Sequence, residues 1–268
     1  MSRIQATFAA LKAQGRKALV TYIVNGDPYR DATLPTMLRL VEQGVDILEL
    51  GVPFSDPMAE GPVIQKGHER ALKQNVSLKD TLAVVREFRQ TNTTTPVVLM
   101  GYANPVEKMG YQSFAEQAAE AGIDGVITVD LPLEEVGDLK RELDQREIDN
   151  IFLLAPTTTP ERASRIIGSA SGFLYYVSLK GVTGAGHLDV EAVGAKLKSF
   201  KLNESLPVCV GFGIKDAASA AAVAKLADGV VVGSVLVNKM GELASAPAAE
   251  IANSVGAIVA EIRQALDQ

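Results

Sequence analysis

The chain has 268 residues, 47% of them hydrophobic and 22% charged, a balance that gives a globular protein and excludes a disordered one. Acids outnumber bases 32 to 26, and the net charge of −6 works against binding nucleic-acid phosphates or anionic lipid. A single cysteine, Cys209, excludes an internal disulfide, and His68 and His187 stand beside loop-like sequence without metal-ligand spacing.

No apolar run reaches about 18 residues and the first residues do not form a leader, so a cytoplasmic setting is expected. Ile4, Phe8 and Leu11 predict an extra N-terminal helix that plugs the bottom of a barrel. The first strand is expected over Ala18–Val24, followed by a helix with Leu34, Met37, Leu38 and Val41 on one face. The second strand spans Asp46–Leu50 and leads into a long loop, Val52 to Pro62, too rich in Pro, Gly and Asp for a helix. Ser77, with Asp80 three residues on, opens a helix carrying Leu78, Leu82, Val85 and Phe88. Further strands are expected at Val97–Gly101, Gly125–Val129, Ile151–Leu154, Gly172–Val177, Val208–Gly211 and Gly229–Val232. Thr159-Pro160-Glu161 starts another helix, and Ile251, Val255, Ile258, Ile262 and Leu266 stripe the last one.

These β-rich runs show little polar alternation, the pattern of strands covered on both faces in a parallel sheet. Their spacing, about 33 residues, is that of a βαβ crossover. An α/β fold of the (β/α)8 TIM-barrel type, as a single domain over residues 1–268, is the economical reading, because closure removes both sheet edges. An open doubly wound sheet is the alternative. Its dinucleotide fingerprint is missing after the first strand, where Asn25-Gly26-Asp27-Pro28 stands.

Barrel chemistry occurs at the C-terminal ends of the strands. There Glu49 interrupts an apolar run, on the opposite side of the strand from Leu48. Either it points outward to a surface base, or it points inward, where burial raises its pKa into a useful acid–base range; the inward reading is favoured. The loop that follows brings Asp56 and Glu60, as a lid with a second carboxylate or as solvated acids. Beyond the sixth strand, Gly181, Gly184 and Gly186 make a flexible segment that either closes over a ligand or is idle. Gly211-Phe212-Gly213 and Gly233-Ser234 end the last two strands, where barrels often bind phosphate. No motif in the sequence points to a cofactor. Lys180 is the one lysine near a strand end suited to a Schiff base.

Taken together, the motifs Glu49-Leu-Gly-Val-Pro-Phe-Ser-Asp-Pro57, Gly101-Tyr-Ala-Asn-Pro105, Gly125-Val-Ile-Thr-Val-Asp-Leu-Pro132, Gly181-Val-Thr-Gly184, Gly211-Phe-Gly-Ile214 and Val231-Val-Gly-Ser234 resemble the tryptophan synthase alpha chain family over nearly the whole length. The resemblance implies a lyase that cleaves indole-3-glycerol phosphate to indole and glyceraldehyde 3-phosphate. It implies no cofactor in this chain, and a beta-chain partner in an alpha2-beta2 heterotetramer that uses pyridoxal phosphate to join indole to serine. By position, Glu49 is the general acid–base. Tyr175, Thr183, Phe212, Tyr22, Met100, Ile127, Val129 and Leu153 surround the substrate. Gly184, Gly213, Gly233 and Ser234 hold the phosphate, and Pro53, Asp56 and Asn104 face the beta chain.

Two departures stand out. The family's second catalytic carboxylate is an aspartate and the matching residue here is Glu60, one methylene longer, which predicts an active but slower lyase. Tyr22 stands where the family often has Phe, adding a hydroxyl that needs a partner. The rival readings are a Schiff-base phosphosugar aldolase using Lys180, and a catalytically weak activator of the beta chain because of Glu60.

Overall fold

The computed structural model describes residues 1–178, 190–200, 206–211 and 213–268. In chain order the elements are α1 (Arg3–Ala13), β1 (Ala18–Val24), α2 (Thr33–Glu42), β2 (Ile47–Gly51), α3 (Pro62–Leu72), α4 (Leu78–Phe88), β3 (Val97–Gly101), α5 (Ala103–Met109), α6 (Tyr111–Ala121), β4 (Gly125–Thr128), α7 (Gly137–Asp144), β5 (Asp149–Asn150), β6 (Phe152–Leu154), α8 (Pro160–Ser169), β7 (Leu174–Val177), α9 (Val190–Ser199), β8 (Val208–Gly211), α10 (Ala217–Ala224), β9 (Gly229–Val232), α11 (Ser234–Glu242) and α12 (Ala248–Leu266). All strand pairs are parallel, in the order β5-β4-β3-β2-β1-β9-β8-β7-β6. The two ends of this sheet are consecutive in the chain. β5 pairs with β4 and β6 pairs with β7, so they are halves of one strand joined through Ile151, and the ring closes as the expected (β/α)8 barrel.

Alternation sorts each strand into an inner and an outer set. Leu19, Ile23, Leu48, Leu50, Leu99, Val126, Tyr176, Val210 and Val230 pack outward with the helices. Val20, Tyr22, Ile47, Val98, Met100, Ile127, Tyr175, Cys209 and Val231 fill the barrel together with Ile4, Phe8 and Leu11 of α1. The N-terminal helix therefore plugs the barrel, with the Phe8 and Phe173 ring centroids 5.9 Å apart. Ser2 caps α1 in a reciprocal box with Gln5, and Arg3 pairs with Asp124 at 2.8 Å, which fixes the plug at the N-terminal face of the strands.

Local signals set the element ends. Ser77 and Asp80 form the expected capping box on α4, and Thr159 caps α8 with Pro160 at its first position. Several boundaries differ from those expected. The sixth barrel strand begins at Leu174 rather than Gly172, because Gly172 takes a left-handed φ of 74° in the turn before it. The second begins at Ile47, since the Asp46 carboxylate instead accepts the Leu19 N–H at 2.8 Å and pairs with Arg263. β4 stops at Thr128, one residue short of Val129. In α12 the fully buried stripe runs through Val259, with Ile258 half-buried beside it. His68 lies within α3 rather than beside a loop. Among the described residues no helix is long and apolar enough to cross a membrane.

Candidate active site

A cavity of about 540 Å³ opens at the C-terminal mouth of the barrel. Tyr22, Glu49, Met100, Tyr175 and Val231 reach it from the strands, and Met58, Ala59, Glu60 and Ile64 from the segment after β2. Val177, Gly213, Ile214, Gly233 and Ser234 also line it. The lining is mostly apolar, so the two carboxyl groups within it sit in an environment that disfavours their charge.

Glu49 is 1% exposed, and among the described residues neither of its carboxylate oxygens has a hydrogen-bond partner. Register explains its direction: Tyr22, Glu49 and Val98 are neighbours across β1, β2 and β3, and all belong to the inward-facing set of positions. Burial, with the charge of Glu60 added to it, pushes the Glu49 carboxyl up to about 8. Burial alone pushes Glu60 up to about 7. Of the pair, Glu60 ionises first, and its charge then helps Glu49 to keep its proton.

The loop from Val52 to Gly61 has no regular structure, as expected, and its backbone is tied at several points. Phe54 N–H donates to His68 Nδ1 at 3.1 Å, and Ala59 N–H donates to the Tyr102 hydroxyl at 3.2 Å. Gln65 Nε2 donates to the Glu60 carbonyl at 2.9 Å, and the Phe54 and Tyr102 rings stack with centroids 5.0 Å apart. These ties hold Glu60 over the mouth, where it is only 7% exposed.

Two of the strand-end glycines serve the tyrosines. A Cβ on Gly51 would overlap the Tyr22 hydroxyl, and one on Gly211 would overlap the Tyr175 hydroxyl. Part of the glycine signal at the mouth is thus close packing rather than anion approach. Gly233 precedes α11 and Ser234 is its first residue; among the described residues no side chain caps this end. The first N–H groups of a helix lack intrahelical acceptors, so this end can take an anion at the cavity wall.

Of the residues expected to surround the substrate, Tyr22, Met100 and Tyr175 line the cavity. Ile127, Val129 and Leu153 belong to the same interior cluster but do not line it. Gly213, Gly233 and Ser234 line it, while Thr183, Gly184, Phe212 and the rival Lys180 lie outside the described residues. Asp56 and Asn104 are exposed, whereas Pro53 is buried. Ile64, Val177, Ile214 and Val231 also line the cavity and were not expected, because an apolar residue in a helix or at a strand end carries no distinguishing sequence signal. Among the described residues no group of three His, Cys, Asp or Glu side chains is placed to hold a metal.

A closed parallel barrel with a carboxyl-bearing pocket at the C-terminal mouth defines a (β/α)8-barrel protein of the enzyme type. The tryptophan synthase alpha chain profile matches residues 8–266, and the chain belongs to that family. It is 55% identical over 267 residues to the tryptophan synthase alpha chain of Thiobacillus denitrificans, covering 100% of this chain and 97% of that one. It is 56% identical to that of Thioalkalivibrio sulfidiphilus, covering both chains fully at 100%. The crystal structure of tryptophan synthase subunit alpha from Legionella pneumophila superposes with a TM-score of 0.91 at 46% identity, covering 100% of this chain and 99% of that one.

Proposed function

We propose that Glu49 and Glu60 together carry out the family reaction in this cavity. As a tryptophan synthase alpha chain the protein is a carbon–carbon lyase that cleaves indole-3-glycerol phosphate to indole and glyceraldehyde 3-phosphate. Glu49, protonated at neutral pH, gives its proton to indole C3, while ionised Glu60 takes the indole N–H proton as the ring becomes an imine. The Glu49 carboxylate then removes the proton from the hydroxyl beside C3. The oxygen electron pair forms the aldehyde carbonyl, the carbon–carbon bond breaks, and its electrons return through the ring to nitrogen, which recovers the proton from Glu60. Glu49 ends protonated, as it began.

The ring is its own electron sink, so the residues of this chain only move protons, orient and exclude water. Tyr22, Met100 and Tyr175 flank the indole, and Gly213, Gly233 and Ser234 with the α11 N-terminus grip the phosphate. Thr183, Gly184 and Phe212 have the same assignments from the resemblance, as do Ile127, Val129 and Leu153 in the apolar surroundings. The observation that carries this reading is the buried Glu49 carboxyl, unpartnered among the described residues, in a cavity that it shares with Glu60. Indole release from indole-3-glycerol phosphate tests it: Glu49→Gln should fold and release no indole, and turnover by that variant refutes the assignment.

Membership of the family implies a beta-chain partner. The finer reading is an alpha2-beta2 heterotetramer, in which indole passes to the pyridoxal phosphate site of the beta chain and Pro53, Asp56 and Asn104 lie at the contact. The cytoplasm is the expected compartment.

A further inference from the structure

His68 is 2% exposed and both of its ring nitrogens are engaged. The Phe54 N–H, at the start of the Glu60 loop, donates to Nδ1 at 3.1 Å, and Nε2 lies 3.3 Å from the Tyr22 hydroxyl oxygen. A peptide N–H can only donate, so Nδ1 is unprotonated. A neutral imidazole then carries its proton on Nε2 and donates it to Tyr22. Burial pushes this imidazole down to about 4, which keeps it neutral at ordinary pH. Tyr22 in turn lines the cavity beside Glu49, its register partner, and its hydroxyl feels the charges of Glu60 and Glu49. One ring therefore joins the loop that carries Glu60 to the strand position beside Glu49. It also supplies the partner that the Tyr22 hydroxyl requires.

We propose that His68 is a positioning residue for the cleavage reaction, holding the Phe54 backbone with one nitrogen and Tyr22 with the other so that Glu60 is set at a fixed height over Glu49. The proposal rests on the role given to Glu60 above. A side chain present only to fill space would be replaceable by an aromatic ring of similar size; a positioning residue would not, because displacement of a reacting group by about 1 Å costs on the order of 100-fold in rate.

The test uses the full chain with saturating tryptophan synthase beta chain and indole-3-glycerol phosphate as substrate. His68→Phe should lower kcat by about tenfold or more and change KM by less than about threefold, since the phosphate grip is untouched. His68→Asn, whose amide oxygen sits near the position of Nδ1 and can accept the Phe54 N–H, should restore kcat to within about threefold of the parent and exceed His68→Gln, whose extra methylene carries its amide toward Tyr22 and away from the Phe54 N–H. In a Glu60→Gln background, His68→Phe should cost nothing more. A normal kcat for His68→Phe alongside a dead Glu60→Gln overturns the His68 role alone. A normal kcat for Glu60→Gln overturns the Glu60 reading beneath it. If His68→Phe does not fold, the Asn and Gln variants decide, and equal kcat values for the two overturn the proposal.

Discussion

Tyr22 and Glu49 are register partners on adjacent parallel strands, so their side chains leave the sheet on the same inner face and meet at the cavity wall. That shared direction encloses the Glu49 carboxyl in apolar surroundings and makes it a burden on the fold once ionised. In the unfolded chain it titrates near 4.5, in the folded protein near 8. Between those values the folded protein holds the extra proton, so stability falls as pH rises through that window. Glu49→Gln removes the burden. Urea unfolding should find this variant more stable than the parent at pH 8 by on the order of 1–3 kcal/mol, and equal to it near pH 4. Equal stability at both pH values would count against a buried carboxyl that is unpartnered among the described residues.

Glu49 and Glu60 together should set the pH dependence of the reaction. In the proposed mechanism activity needs Glu60 ionised and Glu49 protonated, so kcat/KM should rise as Glu60 loses its proton near 7 and fall as Glu49 loses its proton near 8. The expected profile is a narrow bell with coupled limbs. Initial rates of indole release across pH would show it. A flat plateau through this range would mean that the two acids do not divide the work.

The sequence alone sets the longer Glu60 down as slowing the reaction, but the tied loop reverses that expectation: Glu60→Asp, which restores the family residue, should lower the rate rather than raise it. The loop backbone is tied on both sides of this position, at Ala59 to Tyr102 and at the Glu60 carbonyl to Gln65. It cannot easily advance to make up the lost methylene. A fall in kcat of roughly tenfold is expected in single-turnover indole release. A faster variant would show that the longer side chain is what limits this chain.

Much of this was legible in the residues themselves. Eight apolar runs at regular spacing sufficed for the barrel, and the acid at the end of Ile47-Leu48-Glu49 stood out because nothing but chemistry or an ion pair accounts for a carboxyl there. The capping boxes at Ser77 and the N-terminal plug also followed from local pattern. What did not follow is what depends on three-dimensional proximity. Gly211 read as part of a phosphate-binding strand end and Gly51 carried no reading of its own, yet each is small because a tyrosine hydroxyl occupies the space. His68 read as a lone histidine, because the two groups that it joins are 46 and 14 residues away along the chain. The break of the fifth strand at Ile151 likewise has no signature in its own sequence; it arises where the strand changes partners.

A substitution at Ser234 would separate the proposed phosphate binding from helix stability. A carboxylate at the start of α11 complements the helix dipole, and Ser234→Asp should hold or raise stability by about 0.3–1 kcal/mol. The same charge repels a phosphate from the same N–H groups, so KM should rise by about tenfold or more with a smaller change in kcat. Melting temperature and initial rates on one preparation give both numbers. An unchanged KM would move the phosphate away from this helix.

Asp56 and Met58 are exposed in the loop that carries Glu60, Met58 being 76% exposed, and Asn104 is exposed two residues beyond Tyr102, whose hydroxyl accepts the Ala59 N–H of that loop. Asn104 belongs to α5, whose first turn is fixed by Ala103 N–H donating to Asp130 at 2.7 Å, so it is presented on a rigid element rather than a loose one. A beta chain seated here would press on the segment that holds Glu60, which supplies a physical route from partner binding to a faster cleavage step. Asn104→Arg would place a bulky charge in the proposed contact, at a residue outside the cavity lining. It should leave the rate of the isolated chain within about twofold and raise the beta-chain concentration needed for half-maximal activation by about tenfold. If titration with beta chain gave the parent curve, the contact would lie on another face of the barrel, and activation through the Glu60 loop would lose its support.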